Sequence, residues 1–149
     1  MEVQKVRVRL HRLRGGEIDA SLFVHTVGPD ETRPQSVASR LNEPDHRFLP
    51  FEIEGRVMLV GLASIAAVEL SEEPPEVATL AQVGGVRAPV EVVLATGRHL
   101  EGELLYEAPE ARRRVLDVLN AATDRFLLMA AGRRYFLVQI EAIDQVRAI

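Results

Sequence analysis

The chain has no cysteine and no tryptophan among its 149 residues. Without cysteine there is no disulfide framework, no thiolate zinc site and no thiol chemistry. Aromatics are scarce, with five Phe and two Tyr. No apolar run approaches the roughly 18–20 residues that a membrane helix needs. The first residues, from Met1 to Arg9, lack the apolar core of a signal peptide, so the cytoplasm is the expected compartment. Neither sign of charge dominates. Eighteen basic and 22 acidic residues leave a net charge of −4. That balance argues against bulk nucleic acid as the main partner. What is present, 47% apolar and 27% charged residues, is the composition of an ordinary globular protein.

Catalytic signatures are missing too. There is no nucleophile elbow, no P-loop and no dinucleotide fingerprint. The four histidines, His11, His25, His46 and His99, are not spaced as metal ligands, and all fall on expected polar strand faces or in loops. Glu52 and Glu54 alternate with apolar neighbours, as on an outer strand face. The expectation is a protein that is not an enzyme and holds no cofactor or metal.

The chain reads as two copies of one unit. Val37, Leu41, Asn42, Arg47, Phe48, Leu49, Arg56, Leu59, Val60, Ile65 and Val68 recur as Val115, Leu119, Asn120, Arg125, Phe126, Leu127, Arg134, Leu137, Val138, Ile143 and Val146. Every pair shares one offset, 78 residues. Upstream, Ile18 to Leu22 matches Leu100 to Leu104 at an offset of 82, which places about four extra residues in the loop from Gly28 to Pro34. Ser71 to Glu76 reads as a linker by its prolines and charge. These features divide the chain into a unit over 1–71, a linker over 72–85 and a second unit over 86–149.

Strand signals dominate each unit. Val6, Val8 and Leu10 alternate with basic residues, then turn at Gly15-Gly16 into Ile18, Ala20, Leu22 and Val24. Val90, Val92 and Leu94 turn at Thr96-Gly97 into Leu100, Gly102, Leu104 and Tyr106. A helix is expected next. Pro34 or Pro109 suits its first turn, with Val37, Ala38 and Leu41, or Val115, Leu116 and Leu119, facing inward. Asn42 and Asn120 are expected to be its C-terminal caps. The last third is strand again: Phe48–Ile53, Arg56–Leu62 and Ile65–Leu70, and their counterparts ending at Ile149. Phe48, Phe126 and Phe136 are assigned to the core. The expected fold is mainly β (α+β): two tandem five-stranded β-barrels, each β-β-α-β-β-β with its helix between strands two and three. Barrels this small bury little surface alone, so they are expected to pack as a pseudo-two-fold pair.

The end of each unit resembles the second sequence motif of the Sm-like proteins. Leu59-Val60, a turn, then Ile65 and Val68 carry it in the first unit; Leu137-Val138, Ile143 and Val146 carry it in the second. The hairpin from Phe126 to Phe136 looks like Sm strands three and four, and Leu100 to Leu104 looks like strand two with its glycine. SH3-type barrels share this pattern, and the order β-β-helix-Leu-Asn-β, with Leu41-Asn42 and Leu119-Asn120, resembles that of bacterial proteins of unknown function. The resemblance implies a strongly bent small barrel, assembly into rings through strands four and five, and RNA binding at a Tyr-Lys-His run. Gly61-Leu62-Ala63 and Gln139-Ile140-Glu141 occupy that run here. The helix also sits between strands two and three rather than before strand one.

Two basic features complete the reading. Lys5, Arg7, Arg9, Arg12 and Arg14 cluster on the first hairpin, and Arg112, Arg113 and Arg114 are expected on the second helix. They are the candidate contacts for a nucleic-acid or protein partner, with Arg40 on the first helix face. The leading expectation is a non-catalytic interaction module, a bacterial cytoplasmic adaptor or regulator that binds a protein partner through strand edges and helix faces. Sm-like RNA binding stands second, and a small-ligand sensor in the cleft between barrels third. Strand edges also make self-association a candidate.

Overall fold

The computed structural model describes residues 2–26 and 35–149. The loop from Gly28 to Pro34 and the expected helix-starting Pro34 therefore lie outside the described residues. Among the described residues ten strands and three α-helices follow in order: β1 (Val3–Arg12), β2 (Glu17–His25), α1 (Val37–Leu41), β3 (Phe48–Ile53), β4 (Arg56–Gly61), β5 (Ile65–Leu70), α2 (Pro75–Gln82), β6 (Val86–Leu94), β7 (His99–Tyr106), α3 (Val115–Ala121), β8 (Phe126–Ala131), β9 (Arg134–Gln139) and β10 (Ile143–Ala148). Within the span 72–85, where Val77 to Val83 reads as a short helix or strand, the structure has the helix α2, with Pro75 in its first turn.

The protein is mainly β, but its strands do not form two separate closed barrels. They make one open antiparallel sheet of ten strands, ordered β10-β6-β7-β8-β9-β5-β1-β2-β3-β4. Within each half the order is fifth, first, second, third, fourth. The two halves join where β9, the fourth strand of the C-terminal half, pairs with β5, the fifth strand of the N-terminal half. A two-fold arrangement would have joined like strand to like strand. The observed junction is head-to-tail.

Pairing registers recur at the offsets visible in the sequence. Val8 faces Ala20 as Val90 faces Gly102. Phe48 faces Gly61 as Phe126 faces Gln139. Ser21 faces Glu52 as Glu103 faces Ala130. Local chemistry sets these registers. In the β3–β4 hairpin, Glu54 and Gly55 both adopt positive φ, 52° and 74°, as a two-residue turn matched to the strand twist requires. At the crossing of β7 and β8 only glycine fits, because a Cβ on Gly102 would run into the carbonyl oxygen of Ala130.

Two apolar cores result, and strands near the junction serve both. The N-terminal core takes Leu10, Leu22, Leu41 and Phe51, but also Phe126, Leu128 and Leu137 from β8 and β9. The C-terminal core takes Val90, Val92, Leu104 and Met129, but also Ala66 and Ala67 from β5. The β8–β9 hairpin is therefore apolar on both faces because each face meets a different core. Ala66 and Ala67 lie fully buried on the strand that joins the two halves.

Candidate interaction surface

The outer edge of the N-terminal half is where burial departs most from the sequence pattern. Leu49, Phe51, Ile53 and Val60 turn one face of the β3–β4 hairpin into the N-terminal core. Alternation puts Phe48, Val57 and Leu59 on the other face, where they are 60%, 63% and 74% exposed. Phe48 is thus not a core residue. Met58, beside them on β4, is also half exposed. This edge strand presents unpaired backbone groups together with large apolar side chains, a combination that folded proteins usually cover.

The same residues in the other half are covered. Phe126, 78 positions after Phe48, is 2% exposed, and Leu137, the counterpart of Leu59, is 1% exposed. Several contacts hold that hairpin against the N-terminal half. Asn42 grips the Phe126 backbone from both sides: its Oδ1 accepts from the Phe126 N–H at 2.8 Å and its Nδ2 donates to the Phe126 carbonyl at 3.1 Å. Gln139 is buried and its Nε2 donates to the carbonyls of Leu62 and Ile65 at 3.1 and 2.6 Å. Arg125 Nη1 donates to the His46 carbonyl at 2.9 Å.

These contacts recast the expected caps. Asn42 does follow α1, but with φ −95° and ψ 6° rather than a left-handed conformation. Its side chain reaches across the junction. Asn120 is not a cap. It lies inside α3, exposed, while Ala122 ends that helix in extended backbone.

His11 sits in the same junction and corrects the expectation of four solvated histidines. It is 4% exposed. Its Nε2 lies 3.0 Å from Glu69 Oε1, and Arg98 Nη1 lies 2.8 Å from its Nδ1. Only a neutral ring, protonated on Nε2, satisfies both partners. Burial holds its pKa below the ordinary imidazole value and the Arg98 guanidinium adds to that, against the opposing hydrogen bond to Glu69. The ring meets Phe136 edge-on at 5.6 Å, and Arg98 also stacks over Phe136.

The basic cluster is not a free phosphate-binding stripe. Lys5 Nζ pairs with Glu52 at 3.2 Å, and Arg9 Nε with Asp19 at 3.0 Å. Arg12 turns back on its own hairpin and donates to the carbonyls of Gly15 and Gly16. Arg7 and Arg14 lie on the same hairpin without an ion-pair partner among the described residues. Arg112 sits in a 3₁₀ turn, and Arg113 and Arg114 precede α3 rather than lying on it. Arg114 pairs with Asp117 at 3.0 Å. Arg40 donates to the Phe23 carbonyl and to Glu43, so it too is engaged. The alternation of β3 was the signal for the apolar edge: it already separated Phe48 from Leu49 and Phe51.

Between α1, α2 and α3 lies an open cleft of about 880 Å³, lined by Ser36, Glu76, Tyr106, Arg112, Asp117 and Leu128 among others. Glu76 Oε2 accepts from the Ser36 hydroxyl at 2.6 Å, while its Oε1 is buried without a partner among the described residues. No group of three potential metal ligands occurs among the described residues. No described helix is long and apolar enough to cross a membrane. No family model, no curated protein and no solved structure matches this chain.

Proposed function

We propose that the protein is a non-catalytic interaction module that binds a protein partner along β4 and the outward face of the β3–β4 hairpin. One observation carries this reading. Val57 and Leu59 lie exposed on the edge strand β4, with Phe48 exposed beside them on β3, whereas at the same positions of the other half Phe126 and Leu137 are buried in the N-terminal core and Tyr135 packs against it. Strand addition to such an edge supplies backbone hydrogen bonds, and the apolar side chains supply the burial. In this reading each half is a strongly bent five-stranded unit, and the chain acts as a cytoplasmic bacterial adaptor or regulator. The test is a photo-crosslinking phenylalanine derivative at position 59, with position 101 on exposed β7 surface as control. Adducts at 59 that disappear with Phe48→Ser are expected; the absence of adducts at 59 overturns the reading.

The helix-lined cleft favours a second reading, a small-ligand sensor. Its volume lies within the range of small-molecule sites, and the Glu76 oxygen that has no partner among the described residues provides an acceptor. A ligand with a hydrogen-bond donor that raises the melting temperature in wild type and not in Glu76→Ala would support it. Ion pairing of Lys5 and Arg9 removes much of the support for RNA binding.

A further inference from the structure

We infer that the outward face of β2, β3 and β4 is the docking site of an amphipathic helix from another protein, with acidic residues along one flank. This rests on the interaction-module reading and deepens it, because it names the shape and the charge of the partner.

Register defines the face. Lys5, Arg7 and Arg9 of β1 stand opposite Phe23, Ser21 and Asp19 of β2. Ser21 stands opposite Glu52 of β3, while the next pair, Leu22 and Phe51, is buried inward. Alternation therefore turns Phe23 and Pro50 outward, where both are partly exposed. Pro50 faces Leu59, and Glu52 faces Val57. The Phe48 ring lies against Gly61. An apolar strip of Phe23, Phe48, Pro50, Val57 and Leu59 results, with the basic row of β1 along one side.

The other half of the chain carries the same face in its covered form. The counterparts, at the offsets of 82 and 78, are Leu105, Phe126, Leu128, Tyr135 and Leu137. Leu105 faces Leu128, and Leu128 faces Leu137. All but Tyr135 are buried, and Tyr135 packs against them. Helices lie over this face, α1 against β8 and α2 against β7. Val77 and Leu80 of α2 pack on the core that these residues join. The N-terminal side of α2 is acidic, with Glu72, Glu73 and Glu76, and the Tyr135 hydroxyl donates to Glu73 at 2.8 Å. On the N-terminal strip Phe48, Val57 and Leu59 have no such cover among the described residues.

Geometry and charge select the occupant. The strip spans β3 and β4, which lie about 4.8 Å apart, so a helix of about 10 Å diameter covers both. A strand added to β4 lies in the plane of the sheet and leaves most of this face open. The row on β1 is more basic than its counterpart, where Arg87, Pro89 and Glu91 replace Lys5, Arg7 and Arg9. Lys5 is held by Glu52 and Arg9 by Asp19. Arg7, between them, has no ion-pair partner among the described residues and is exposed. An acidic flank on the incoming helix meets Arg7 as the acidic side of α2 meets Tyr135.

The probe is a synthetic helix of about 18 residues, five turns, with leucine along one face and glutamate along one flank. The chain has no tryptophan, so a single Trp on the apolar face of the peptide reports binding by its own fluorescence. Saturable binding with a dissociation constant below about 100 µM is expected. A lysine-flanked peptide should bind about tenfold more weakly at low salt, and Arg7→Glu should reverse that preference. The same composition rearranged to alternate leucine with glutamate, as a strand would, should also bind about tenfold more weakly. Leu59→Ser and Phe48→Ser should each weaken binding about tenfold. A photo-crosslinking phenylalanine derivative at position 21 should give peptide adducts as readily as one at position 59. A helix on the face reaches β2, whereas a strand beyond β4 lies about 14 Å from it. Equal binding of the two flanks, indifference to Leu59→Ser, or adducts at 59 without adducts at 21 overturns the helix and leaves a module that binds through its edge. No saturable binding of the glutamate-flanked helix also overturns the inference, and the interaction module then stands or falls on the adducts at 59 described above.

Discussion

The internal junction and the two free ends of the sheet are built from matching residues, and they differ in what surrounds them. Phe48 and Phe126 follow corresponding helices, α1 and α3, at the same spacing from the helix start and begin the same kind of hairpin. One is buried and clamped; the other is exposed. Strand geometry assigns each residue to a face and leaves open what that face meets. The comparison also shows where the ends have diverged. The β10 edge is polar, with Asp144, Gln145 and Arg147, whereas the β4 edge is apolar. Charge on one edge guards against indiscriminate strand pairing while leaving the apolar edge for a partner that matches it.

The comparison breaks most visibly at the two phenylalanines. Phe126→Ala should cost about 3–5 kcal/mol of stability, the usual result for emptying a packed aromatic site. Phe48→Ala should change the stability of the monomer by less than about 0.5 kcal/mol. Chemical denaturation of both variants reads the contrast, and equal losses would mean that the two hairpins are equally buried. The asparagines come next. Asn42→Ala strands both the N–H and the carbonyl of Phe126, so about 2–3 kcal/mol is expected. Asn120→Ala should leave the melting temperature of dilute protein unchanged.

His11 sharpens the comparison through pH, because its counterpart in the C-terminal half is Val93. Its pKa in the fold lies below the ordinary value of about 6.5. The unfolded chain therefore takes up the proton first as pH falls. The contribution of the neutral ring is complete above about pH 6.5 and is lost as pH drops towards the pKa of the folded state, with a slope of up to about 1.4 kcal/mol per pH unit. His11→Val should flatten the stability profile between pH 7 and 5, and an unchanged slope would place the titrating group elsewhere. The smallest effects belong to the exposed ion pairs. Lys5→Gln and Arg9→Gln should each shift stability by less than about 1 kcal/mol, as exposed pairs do; thermal melts at low and high salt read this.

Much of the architecture was legible from the residues. The alternation of Val6, Val8 and Leu10 with Lys5, Arg7 and Arg9 marks β1, and the glycine turns mark the hairpin ends, because both signals are local. The need for glycine at position 102 was not legible in the alternation of β7, because the carbonyl it accommodates belongs to Ala130 on another strand. The helices were less legible. Arg112 to Arg114 looked helical beside Val115, but α3 starts only at Val115, with no side-chain cap to announce it. The basic hairpin looked like a contact surface because the acids that neutralise it, Glu52 and Asp19, come from strands whose register is not written in β1. His11 alternates with apolar residues like any outward residue, yet β9 and the β6–β7 turn cover it.

By itself the sequence determined the strands, the alternation of their faces, the turns and the two offsets at which the pattern recurs. These follow from backbone sterics and the period of two. The tertiary structure decided that the halves join head-to-tail in one sheet, that Asn42 reaches the Phe126 backbone and that His11 is buried between halves. It also decided which of two matching hairpins was left uncovered. The reason is physical: burial and hydrogen bonding belong to a residue together with its neighbours, and the neighbours of Phe126 come from the other half of the chain.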